Sequence, residues 1–154
     1  MKKIFIIVIF FTCGYGLFAQ TIMFRPEAAV GFFNNDAANG LSYSYGGKII
    51  LMANNFQRYG ILINHLVFNN DKSYLSTGIY LEQVVFRYFN MGIGTVGYIG
   101  LSHNKNPFGL YTHLGFEYPF ANRFHVLASY RCDMIFTQDF TMNNAFMLGI
   151  GVHF

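Results

Sequence analysis

The chain has 154 residues, of which 53% are hydrophobic, 19% aromatic and only 11% charged, with a formal net charge of +3. Ordinary soluble domains carry roughly 25% charged residues, so a fully water-exposed surface is excluded and a lipid-facing one is favoured. Lys2 and Lys3 lie in a segment that reads as removable, and without them the balance falls to +1, which leaves no support for nucleic-acid binding.

In chain order, Lys2 and Lys3 precede an apolar run over residues 4–11, and a small-residue exit ends near Leu17, Phe18 and Ala19. This is the pattern of a secretory signal, so residues 1–19 are expected to be cut away and 20–154 to form one domain. The run is well short of the ~20 apolar residues that a membrane helix needs, so it is not a permanent anchor. A competing reading, cleavage and lipidation at Cys13, fits poorly with Phe10, Phe11 and Thr12 before it. Only Cys132 then remains, and no intramolecular disulfide can form.

No stretch of the remainder approaches the length of a membrane helix, so a bilayer can be crossed only by strands closed into a barrel. Segments rich in Phe, Tyr, Ile, Val and Leu predict about eight strands, over 24–33, 41–53, 57–68, 74–89, 91–102, 109–120, 123–135 and 144–154. Their connections alternate in length. NNDAANG, NNDKS, HNKNPFG and FTQDFTMN are long, whereas NNF, the single residue Asn90 and ANR are short. The fold class is therefore all-β, a closed antiparallel up-and-down transmembrane barrel with short turns at one end and longer loops at the other.

Period-two alternation assigns the faces. In the last segment Phe146, Leu148, Ile150, Val152 and Phe154 alternate with Ala145, Met147, Gly149, Gly151 and His153. In the seventh, Phe124, Val126, Ala128, Tyr130 and Cys132 point to lipid and Arg123, His125, Ser129, Arg131 and Asp133 inward. The fourth segment resists one register, because Gln83 and Arg87 fall on the lipid face if Gly78, Tyr80 and Glu82 face inward. A β-bulge near Gln83 would repair it. Aromatic girdles are expected from Phe56, Tyr59, Tyr88, Phe89, Tyr118, Phe120, Phe124 and Phe154 at the short-turn end, and from Phe32, Tyr43, Phe68 and Phe136 at the other.

With these features the chain resembles the small eight-stranded outer-membrane proteins typified by the membrane domain of outer-membrane protein A and by outer-membrane protein X. The resemblance rests on the architecture and on the final strand FMLGIGVHF, with Phe146, Leu148, Ile150, Val152 and the terminal Phe154. It implies that this strand is the signal read by the barrel assembly machinery, that the protein resides in the bacterial outer membrane, and that its partners are outer-membrane lipid and, during biogenesis, that machinery. The loops here are shorter than those by which several relatives contact surfaces, so no surface partner is named.

Arg25, Glu27, Lys48, Arg58, Glu82, Glu117, His113, His125, Ser129, Arg131 and Asp133 are expected to form a polar network that plugs the lumen, with Arg123 near its mouth. Pairing the sixth and seventh segments across ANR sets Glu117 opposite His125, His113 opposite Ser129 and Tyr111 opposite Arg131. A Ser–His nucleophile is conceivable there, but an eight-stranded barrel offers substrate no route to it. A narrow ion channel is one alternative, since rings of charge also tune pores. A lipid A-modifying enzyme using His65, Ser76 and Thr77 near the rim is the other. The five histidines show no metal-ligand spacing, no cofactor is expected, and GIGTVG over 92–97 lacks the strand–loop–helix context of a dinucleotide site. Those glycines instead accommodate bulky interior neighbours.

Overall fold

The computed structural model describes residues 21–35, 38–53, 56–68, 72–102, 106–136 and 140–154. The signal-like segment with Cys13 and the tips of the four long connections lie outside the described residues. Eight strands follow one another: β1 (Thr21–Asn34), β2 (Asn39–Met52), β3 (Gln57–Phe68), β4 (Ser73–Phe86), β5 (Phe89–Gly100), β6 (Phe108–Ala121), β7 (Phe124–Phe136) and β8 (Thr141–His153). Each pairs antiparallel with its neighbour, and β8 pairs with β1 to close the barrel. Every boundary falls within three residues of its sequence-based position.

The stagger of the barrel sets its size. Paired residues lead around the wall from Met23 through Ile50, Gly60, Tyr80, Gly94, Tyr111, Asp133 and Asn143 to Phe33, ten residues further along β1 than the start. For eight strands such a shear implies a tilt of about 40° and an interior that side chains just fill. Strands of 12 to 14 residues, rising ~3.3 Å per residue, then span the ~25 Å apolar band of an outer-membrane barrel.

The faces separate as period two demands. Outward side chains are large and apolar, among them Phe146 at 75% exposure, Leu148 at 66% and Ile79 at 66%, whereas the neighbouring Ala145 and Met147 are buried. Glycines admit the bulky inward residues. A Cβ on Gly94 would stand 2.5 Å from Tyr111 Cε1 and one on Gly92 2.7 Å from His113 Nδ1, so these two glycines of the GIGTVG run serve packing, whereas a Cβ on the outward Gly97 would meet only the Thr77 carbonyl oxygen at 3.8 Å.

Three local expectations need correction. Asn90 is no turn residue: the β4–β5 turn is Arg87–Tyr88, and Asn90 is buried inside β5. The β4 irregularity does occur near Gln83, between Val84 and Phe86, but it does not turn Gln83 inward, which stays outward opposite Met91. Phe68 belongs to no girdle. It faces inward, 4% exposed, with its ring centroid 4.6 Å from that of Phe33. Inward direction there follows from the even-numbered inner face of β3, shared by Leu62, Asn64 and Leu66.

Candidate functional site in the barrel lumen

The inner wall is built in tiers. At the long-loop end Phe33, Phe68, Tyr74 and Tyr98 form a chain of rings with successive centroids 4.6, 5.8 and 6.0 Å apart. This aromatic plug was not anticipated, because each ring comes from the end of a different strand. Below it Asp133 takes hydrogen bonds from Arg131 Nε at 2.9 Å, Arg131 Nη2 at 2.7 Å, Tyr98 Oη at 3.2 Å and Asn143 Nδ2 at 3.3 Å. Lys48 and Arg131 lie over the rings beneath, Lys48 Nζ 5.2 Å from the Tyr80 centroid and the Arg131 guanidinium 4.8 Å from that of Tyr111.

The next tier holds most of the charge. Arg25 is fully buried and donates to Glu27 at 2.8 Å, Glu82 at 2.8 Å and Glu117 at 3.3 Å. Arg58 donates to Glu82 at 2.8 Å and to Glu117 at 2.6 Å, and Lys48 Nζ stands 3.1 Å from Glu27. His113 Nε2 meets Glu82 at 3.1 Å. Four cationic side chains, Arg25, Lys48, Arg58 and Arg131, thus face four carboxylates, Glu27, Glu82, Glu117 and Asp133. Such mutual compensation is what makes buried charge tolerable, since each ion out of water costs several kcal/mol.

Arg123, expected inward near the mouth of the lumen, is exposed in the β6–β7 turn at the short-turn end. Ser129 is inward and buried, but its Oγ has no hydrogen-bond partner. The expected cross-strand pairs are shifted by two residues. His113 lies opposite Arg131, Tyr111 opposite Asp133, Glu117 opposite Leu127 and His125 opposite Pro119. The turn closes at Asn122–Arg123 with Ala121 opposite Phe124, and beyond the irregularity between Pro119 and Ala121 the ladder settles two residues from the expected register. His113 therefore serves Glu82 rather than Ser129, and the Ser–His pair does not form.

The rim candidates also separate. Ser76 points into the lumen and donates to the Asn64 carbonyl oxygen at 3.1 Å. His65 and Thr77 lie on the opposite, outer face, where His65 Nδ1 meets Tyr45 Oη at 2.9 Å. Ser76 and His65, split between the two faces of the sheet, cannot act on one substrate, whereas Thr77 shares the outer face with His65 and lies opposite Ile63. The terminal-strand residues Phe146, Leu148, Ile150, Val152 and Phe154 all lie on the outward register of β8 or just past it.

The reading that the histidines make no ligand cluster is corrected. Glu117 of β6, His125 of β7 and His153 of β8 converge at the short-turn mouth, with ligand atoms all within 4.8 Å of one another. Sequence spacing concealed this group, since it spans three strands.

Closed antiparallel topology, an apolar outer wall and a charged interior define the fold of the small eight-stranded outer-membrane barrels. Solved structures of that class are similar to this chain along nearly its whole described length. Neisserial surface protein A aligns with a TM-score of 0.68 at 13% identity, covering 85% of this chain and 96% of that one. The N-terminal barrel domain of Pseudomonas aeruginosa OprF gives 0.58 at 12% identity, covering 87% and 97%. Ail, the attachment invasion locus protein of Yersinia pestis solved with the heparin analogue sucrose octasulfate, gives 0.52 at 16% identity, covering 87% and 98%. At these identities the likeness is one of fold. No protein-family model matches the chain, and no curated protein matches it by sequence.

Proposed function

We propose that the chain is a non-enzymatic protein of the bacterial outer membrane, sealed along its axis, which contributes to the envelope through its lipid-facing wall and meets partners through its long-loop end. The observation that carries this reading is Arg25, fully buried and tied to three carboxylates from three different strands. Opening a water path past it would strand several charges at once, at several kcal/mol each. The aromatic plug closes the same axis a second time.

The long connections carry Asp36, Asp71 and Asp139 against Lys72 and Lys105. By sequence these connections hold one more acidic than basic residue, so the chain is expected to pass through a heparin column at physiological ionic strength.

The decisive experiment is reconstitution of the purified barrel in a planar bilayer, alongside gel mobility of unheated and boiled samples from isolated outer membranes. The sealed-barrel reading expects a heat-dependent mobility shift in the outer-membrane fraction and no conductance steps. Discrete steps would replace it with a narrow channel.

A further inference from the structure

We propose that Glu117, His125 and His153 form a binding site for one divalent transition-metal ion, such as zinc, at the short-turn mouth of the lumen. His125 Nδ1 stands 2.9 Å from Glu117 Oε1 in a geometry that makes no hydrogen bond, and His153 Nε2 is buried without a partner. The two imidazole rings lie 4.3 Å apart between centroids at 43°. Two imidazoles and one carboxylate are a usual donor set for zinc, leaving a fourth position for water. Ligand atoms within 4.8 Å of one another need only small side-chain rotations to reach a common ion at ~2.0–2.2 Å.

The surroundings suit that role. Glu117 Oε2 is held by Arg58 Nη1 at 2.6 Å and approached by Arg25 at 3.3 Å and Asn90 Nδ2 at 3.5 Å, which orients Oε1 toward His125. The positive charge of Arg58 is already matched by Glu82 and Glu117. His125 lies opposite Gly151, where a Cβ would stand 2.6 Å from Met23 Sδ and 3.6 Å from His125 Cβ, so only glycine leaves this part of the mouth open. The His125 side chain is 19% exposed, so an ion can reach it from the short-turn side. A bound ion would tie β6, β7 and β8 together beside the β8–β1 closure.

The test is a zinc titration, by calorimetry, of the full chain refolded in detergent micelles without a polyhistidine tag. One ion per barrel is expected, with His125→Gln and His153→Gln each weakening affinity by about tenfold or more. His65→Gln, on the outer face of β3 and away from the site, should bind zinc like the parent. Zinc should also raise the temperature at which the folded gel band is lost, and His153→Gln should abolish that shift. Because His153 is the last residue of β8, its variant keeps the barrel, which the heat-dependent gel shift verifies. Absence of zinc binding by the parent chain, or unchanged affinity in both site variants, overturns the proposal.

Discussion

Arg25 on β1 donates through Nη2 to Glu82 on β4 at 2.8 Å, reaching across the lumen to a strand three places around the wall. Glu82 also accepts from Arg58 and contacts His113, so one carboxylate binds β1, β3, β4 and β6 into a unit. Backbone pairing links only adjacent strands. The interior ion pairs add the connections that pairing cannot make.

Removing that hub should be costly. Glu82→Ala leaves Arg25 and Arg58 short of an acceptor each in a buried site, and a loss of about 3–5 kcal/mol is expected from urea unfolding in micelles. A change below about 1 kcal/mol would mean that water enters the lumen freely enough to solvate both guanidinium groups.

Gly60 and Tyr80 form a size-matched pair. The nearest atoms to a Cβ on Gly60 all belong to the Tyr80 ring, its Oη at 2.6 Å. Gly60→Ala should cost about 1–3 kcal/mol through overpacking. Combining it with Tyr80→Leu should lose less than the sum of the two single changes, a coupling that a double-mutant cycle measures directly.

The outer wall answers to lipid rather than to neighbours. Leu148, 66% exposed near the middle of β8, should lose about 2–4 kcal/mol when changed to Arg. Phe140, exposed just before β8, should lose only about 0–1 kcal/mol on the same change, because it sits at the end of the span. Equal losses at both positions would contradict the depth assigned to them.

Phe154 is expected to matter for assembly and little for stability. The C-terminal residue is 77% exposed and lies past the end of β8, so Phe154→Ser removes little packing. The amount of folded barrel recovered from membranes should fall several-fold while refolding of the purified chain in detergent stays unchanged. Equal membrane yields for parent and variant would contradict the expectation that the terminal strand is an assembly signal.

Much of the architecture was legible before any coordinates because it is local. Alternation along β7 and β8 placed Phe146, Leu148, Arg131 and Asp133 on their faces, since consecutive side chains in a strand must point to opposite sides. Turn-forming clusters likewise placed the strand ends. Tertiary structure alone decided which inward residues meet. The placement of the turn at Asn122–Arg123, with the irregularity between Pro119 and Ala121, set His113 opposite Arg131 rather than Ser129, and the ten-residue stagger brought Arg25 within reach of Glu82 and Glu117. Glu117, His125 and His153 became neighbours only because β6, β7 and β8 lie side by side at one mouth of a closed wall. Face is fixed by the geometry of a single strand, whereas partnership across a lumen depends on shear and bulges summed over all the strands between, which no local pattern records.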